Sequence, residues 1–182
     1  MTDPIAGWRA EHQNFSRLLD LFDRQVARFH SAEQPDYELM LDILTYLRHF
    51  PEHAHHPRED VAFKRLVRHD RAIQPVVNRL LQEHRVIAEI GRQVQELLEA
   101  LQGDEFVARV EVEAACATFL VYYRHHIAGE EDHILPLAGK HLTAEDWKAV
   151  GAAVATAPDP LFGADVDARY RELRERIEAE AG

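Results

Sequence analysis

The sequence predicts an all-α protein, an up-down-up-down four-helix bundle with a C-terminal helical extension. Three observations lead there. Ala, Leu, Glu and Arg, which favour helices, dominate over eight Gly and eight Pro. Apolar residues recur at three- and four-residue steps along four long stretches. The breaks between those stretches are short, which sets consecutive helices side by side. The 182 residues, 46% of them hydrophobic, suffice for one sizeable core and an appendage. We expect the bundle over residues 1–142 and the extension, packed on it, over residues 143–182.

Asp3 reads as an N-cap with Pro4 at the first helical position. The first helix then runs to about Phe29, with Ile5, Trp8, Phe15, Leu19, Phe22 and Val26 in one stripe. A polar break at Ser31–Pro35 precedes a second helical region from about Asp36 to Val67. Pro51 and Pro57 fall inside it, and each removes a backbone donor, so a bend or restart is expected near Phe50-Pro51. A third helix runs from about Asp70 to Leu101 on Ile73, Val77, Leu80, Ile87, Val94 and Leu98. Gly103-Asp104 supplies the next turn and cap. The fourth helix covers about Asp104 to Leu137, with Val112, Ala115, Phe119, Tyr122, Tyr123, Ile134 and Leu137 on one side. Thr143 and Asp146 have capping-box spacing and start a short fifth helix. Ala157–Gly163 reads as a loop, and a charged sixth helix from about Asp165 to Glu180 as amphipathic cover for the bundle.

The formal net charge of -11 repels phosphate backbones and anionic lipid, so no nucleic-acid or membrane partner is expected. No apolar run approaches membrane-spanning length. The single cysteine, Cys116, rules out an intramolecular disulfide and a thiolate cluster, and reads as a small buried residue. The start, Met1-Thr2-Asp3-Pro4, lacks the pattern of a signal peptide. A reducing, cytoplasmic setting is expected.

Histidine is the unusual residue. There are twelve, spread from His12 to His141 rather than in one run. Residues four apart on a helix share a face, so His-x-x-x-Glu aims an imidazole and a carboxylate at one point. That donor pair suits Fe, Zn or Mn. The spacing occurs at His55/Glu59 on the second helix and again at His126/Glu130 on the fourth. The bland reading is two solvated surface pairs; their place in apolar stripes argues against it. On a helical wheel His55 lies roughly 40° from Glu59 and stays on the stripe of Ala62, Phe63, Leu66 and Val67, whereas His56/Asp60 drifts to its edge. His126 and Glu130 are flanked by Val112, Ala115, Phe119, Tyr122 and Leu137, and His125 lies roughly 100° away.

His12 aligns with Ile5, Trp8 and Leu19, and His84 with Ile73, Val77 and Leu80, with Ala88 and Gly91 leaving space beside it. Six groups from four helices would suit two metals, each with two imidazoles, bridged by both carboxylates. Without cations, burying two carboxylates would be very costly. His133 also faces inward on the wheel, one turn beyond Glu130, where a supporting role is expected rather than ligation. Tyr122 and Tyr123 are expected in the core. For His30, His49, His53, His56, His69, His125 and His141 the solvated or supporting reading wins. His53, Asp60 and Glu131 could orient ligands.

The strings His55-His56-Pro57-Arg58-Glu59-Asp60 and His126-Ile127-Ala128-Gly129-Glu130-Glu131, the latter running on to Leu135-Pro136-Leu137-Ala138, resemble the hemerythrin-like HHE cation-binding domain. Glu11-His12 and Glu83-His84 fall where that family carries its other histidines, and the resemblance covers about Pro4 to Leu142. It implies a four-helix bundle around an oxo- or hydroxo-bridged pair of non-haem irons, with His12, His55, Glu59, His84, His126 and Glu130 as ligands. Zn or Mn are accepted substitutes. Oxygen-carrying members have a further histidine four residues after the one on the third helix; here that position is Ala88. This chain therefore looks more like four-histidine members linked to iron-centre repair, nitric oxide chemistry or sensing. A module that binds or senses O2 or NO is expected first. The alternatives are an enzyme reducing NO, O2 or peroxide, which would need an electron-donor protein, and an iron-handling protein for repair of iron–sulfur centres.

Overall fold

α1 spans Pro4–His30 and buries Ile5, Trp8, Phe15, Leu18, Leu19 and Phe22 together with His12. The computed structural model describes residues 4–31, 33–103, 105–154 and 158–180. The expected Asp3 cap lies outside the described residues, as do Ala32 of the first break, Asp104 of the Gly103-Asp104 turn and Ala157 of the last loop.

At Phe50-Pro51, where a bend or restart is expected, the helix changes pitch without ending. α2 (Tyr37–Phe50), capped by Asp36, which accepts from the Leu39 N–H, runs into a π-helical turn over Pro51–His55 and on into α3 (His56–His69). A short 3-10 turn at Arg71–Ile73 leads into α4 (Gln74–Gln102). The fourth helix starts later than its periodicity suggested: 105–108 is non-helical, Phe106 is fully exposed, and α5 spans Arg109–Gly129. A second π turn, Glu130–Ile134, joins α5 to α6 (Leu135–His141). Among the described residues there is no strand, and no helix is long and apolar enough to cross a membrane.

These segments form four rods in a ring. α1 packs on α2 and α5, α2 and α3 on α4, and α4 on α5. At Gly91 the rods meet closely. A Cβ there would stand 3.2 Å from both the Arg48 stem and the Phe119 ring, so this glycine serves contact between α4, α2 and α5 rather than making room at His84.

The apolar core comes in two clusters. One gathers Phe15, Leu18, Phe22, Ile43, Tyr46, Phe119 and Tyr123; the other gathers Ile5, Trp8, Phe63, Leu66, Val77, Leu80 and Ile134. α1 feeds both, and His12 sits between its Trp8 and Phe15. The C-terminal residues touch each cluster. α7 (Ala144–Gly151) starts at a capping box in which Thr143 and Asp146 satisfy each other's backbone N–H groups. It sets Trp147 edge-on against Trp8 at 5.4 Å. The Asp146 carboxylate also takes Arg65 at 2.8 Å and His69 at 2.9 Å, tying α7 to α3. Further on, Leu161, Tyr170, Leu173 and Ile177 join the other cluster, the last two from α8 (Arg171–Glu180). Asp159 accepts from the Leu161 and Phe162 N–H groups and from the Tyr46 hydroxyl. A Cβ at Gly163 would lie 2.3 Å from the Asp159 carbonyl oxygen, so this turn requires glycine.

Candidate metal centre

The fold brings the six sequence-predicted residues to one place. His12 comes from α1, His55 from the end of the first π turn, Glu59 from α3, His84 from α4, His126 from α5 and Glu130 from the start of the second π turn. Glu59 and Glu130 have no exposed surface, and His12, His55 and His126 have almost none. Each carboxylate divides its oxygens between two groups of imidazoles. Glu59 Oε1 lies 2.9 Å from His55 Nε2 and 3.5 Å from His12 Nε2, while its Oε2 lies 3.6 Å from His84 Nε2. Glu130 Oε2 lies 3.3 Å from His12 Nε2, while its Oε1 lies 3.1 Å from His126 Nε2 and 3.7 Å from His84 Nε2. His12 Nε2 and His55 Nε2 are 3.1 Å apart.

Donors around one metal with bonds of ~2.1 Å stand ~3 Å apart. The separations match that spacing. All four carboxylate oxygens, with His84 Nε2 and His126 Nε2, are buried without a well-directed hydrogen bond. Such orphaned groups cost several kcal/mol unless something else partners them. They converge on two points: His12, His55, Glu59 and Glu130 around one, and His56, Glu59, His84 and His126 around the other. These residues fit the binding of metal ions.

The electrostatics agree. Burial works against ionisation of Glu59, but the charge of His55 and contacts with His12 and His84 hold its carboxyl well below the usual range. Burial and repulsion from Glu59 oppose ionisation of Glu130; His126 and His12 outweigh them. His12 and His84 are pushed up to about 11 despite burial, His12 by Glu130 and Glu59, His84 by Asp60, Glu130 and Glu59. Protons and cations thus compete for the same donors, and loading a cation must expel protons.

A model of the hemerythrin HHE cation-binding domain matches residues 3–138. The chain belongs to the hemerythrin HHE cation-binding family. Searches of curated proteins and of solved structures returned no match.

In this hemerythrin-like chain the outward ring nitrogens are held in a closed cycle. Glu11 of α1 takes the His55 Nδ1–H; Asp60 of α3 takes that of His84 at 3.0 Å; Glu83 of α4 takes that of His126 at 3.2 Å; Glu131 of the second π turn takes that of His12 at 2.9 Å. Each rod orients the histidine of the next. Donation from Nδ1 holds each Nε2 inward, where it can bind a cation once its proton has left. Behind these carboxylates stand cations: Arg58 at 2.8 Å from Glu11, Lys64 at 3.8 Å from Asp60, Arg79 at 3.4 Å from Glu83 and Arg9 at 3.0 Å from Glu131. Asp60 and Glu131 were legible as orienting groups. Glu11 and Glu83 carry no such signal in the sequence beyond sitting beside a ligand candidate.

The π turns explain the other differences. In the first, the His56 N–H reaches back to the Pro51 carbonyl, and in the second the Leu135 N–H reaches Glu130. Pro57 and Pro136 follow immediately. Neither has an N–H, and each ring would press on the carbonyl four residues back, so widening the preceding turn relieves that clash. The wider turn also changes which residues face inward. His133, expected inward, is exposed, because it follows Glu130 inside the second π turn. His56, expected at the edge, is buried beside the centre. His53 is exposed and donates to the His49 carbonyl at 2.8 Å rather than orienting a ligand. Tyr123 and Cys116 are buried, whereas Tyr122, expected in the core, is 41% exposed.

Proposed function

We propose that this protein holds two non-haem irons through His12, His55, Glu59, His84, His126 and Glu130, and binds or reacts with O2 or NO. One observation carries this reading: two fully buried glutamates each offer one orphaned oxygen to either side of a six-residue cluster. Consecutive rods that are neighbours in a ring support the up-down-up-down topology.

A bound iron pair would supply an open coordination position and electrons for a diatomic ligand. The protein's own groups set the conditions. Trp8, Phe15, Tyr123 and Ile127 are buried near the histidines and keep bulk water out. The cycle of Glu11, Asp60, Glu83 and Glu131 keeps the four imidazoles aimed. The His12–Glu131 pair borders a surface cleft of about 420 Å3, lined also by Arg9, Gln13, Ser16 and Ile127, the side from which a small ligand would approach the centre.

The test is to load the protein anaerobically with ferrous iron and record optical spectra on adding O2 and NO. The reading predicts new bands whose amplitude saturates at one ligand per iron pair. No spectral change with either gas overturns it. Many turnovers of NO consumption with an electron-donor protein assign an enzyme; a stable adduct assigns a binding or sensing module. Rapid loss of iron to a weak chelator favours iron handling.

A further inference from the structure

His56 follows His55 directly yet belongs to the opposite side of the centre. One of its ring nitrogens lies within 4.8 Å of the donor atoms of Glu59, His84 and His126. Its ring stacks on His84 with centroids 4.1 Å apart and planes 14° from parallel, and meets His126 edge-on at 5.7 Å. It is buried, whereas the adjacent histidine of the other stretch, His125, has 59% of its side chain exposed. Ala88, one turn along α4 from His84, has no donor to offer.

We propose that His56 is a fifth histidine ligand, completing a three-histidine subsite with His84 and His126 opposite the two-histidine subsite of His12 and His55. The inference rests on the two-metal reading above. The two sides differ in their imidazoles. His56, His84 and His126 converge with Glu59 on the first side; His12 and His55 converge with Glu59 and Glu130 on the second. The cleft beside His12 and Glu131 opens on that second side. His56 thus supplies from α3 the donor that Ala88 cannot supply from α4.

The test is the full-length protein loaded anaerobically with ferrous iron. Hyperfine-shifted, solvent-exchangeable imidazole N–H signals are counted by proton NMR, and iron is measured by elemental analysis. Five such signals with two irons per chain are expected. Four signals with two irons overturn the role of His56 while leaving the two-metal reading intact; fewer than one iron per chain overturns both. His56→Phe keeps an aromatic ring to stack on His84 but removes the nitrogen. It should remove one signal and weaken binding of one iron by roughly tenfold or more, since losing even a ligand's supporting partner typically does so. Wild-type iron content and affinity in this variant would mean that His56 only packs. Should His56→Phe fail to fold, the signal count in the unaltered protein decides.

Discussion

The two His-x-x-x-Glu stretches look alike in sequence and differ in how they meet their π turns. In the first, the histidine is the last residue of the turn and the glutamate lies beyond it; in the second, the glutamate is the first residue of the turn and the histidine lies before it. His55 and the next residue, His56, are both buried. In the second stretch His126 is buried while its neighbour His125 points to solvent. A π turn placed ahead of a ligand pair is thus associated with two adjacent inward side chains, and one placed after it with a single inward histidine and an outward His133. A one-residue widening, stabilised by a following proline, changes which donors a helix presents.

The largest effect tests what the two stretches share. Glu59→Ala and Glu130→Ala each remove one oxygen from both sides, so each should reduce bound metal below one per chain, by elemental analysis after anaerobic loading. If only one of the two does so, the symmetric bridging role is wrong. Next come the supporting carboxylates. Glu11→Gln acts on His55 and Glu83→Gln on His126, and each should weaken metal binding by ~10–100-fold while changing the melting temperature of the metal-free protein little. A chelator-competition titration reads this out.

A smaller effect tests the clamp that only the first stretch has, Asp146 on α3. The Thr143 N–H, then Arg65 and His69, hold its carboxyl far below the usual range. A depressed carboxyl stabilises the fold above its ordinary value of ~3.9, and that stabilisation disappears as pH falls below it. Asp146→Asn should cost about 1 kcal/mol near neutrality, a melting shift of ~2–4 °C, and the gap to wild type should close on acidification below ~4. A gap that persists at low pH contradicts the assignment. The smallest effect is His125→Ala, expected within ~0.5 kcal/mol of wild type and with unchanged metal content, in contrast to His56→Phe.

The helices and the six converging residues were legible because both follow from one regular period. Ile5, Trp8, His12, Phe15 and Leu19 need only 3.6 residues per turn to share a face. A uniform step is also why a helical wheel puts His133 inward and His56 toward the edge: the wheel cannot register a turn with an extra residue. Pro57 and Pro136 marked both places, but as signs of a bend or an ending rather than of a widened turn. The supporting carboxylates left a fainter trace. An acid adjoins a ligand candidate in Glu11-His12, Glu59-Asp60, Glu83-His84 and Glu130-Glu131. Each serves a histidine on a different rod, and that pairing depends on which rods adjoin.

The most direct test of the central claim is the metal content of the protein purified without oxygen and loaded with ferrous iron, with and without Glu59→Ala. The account predicts two irons per chain in the wild type, lost on the substitution. Fewer than one metal per chain, with neither content nor stability changed by Glu59→Ala, would contradict it.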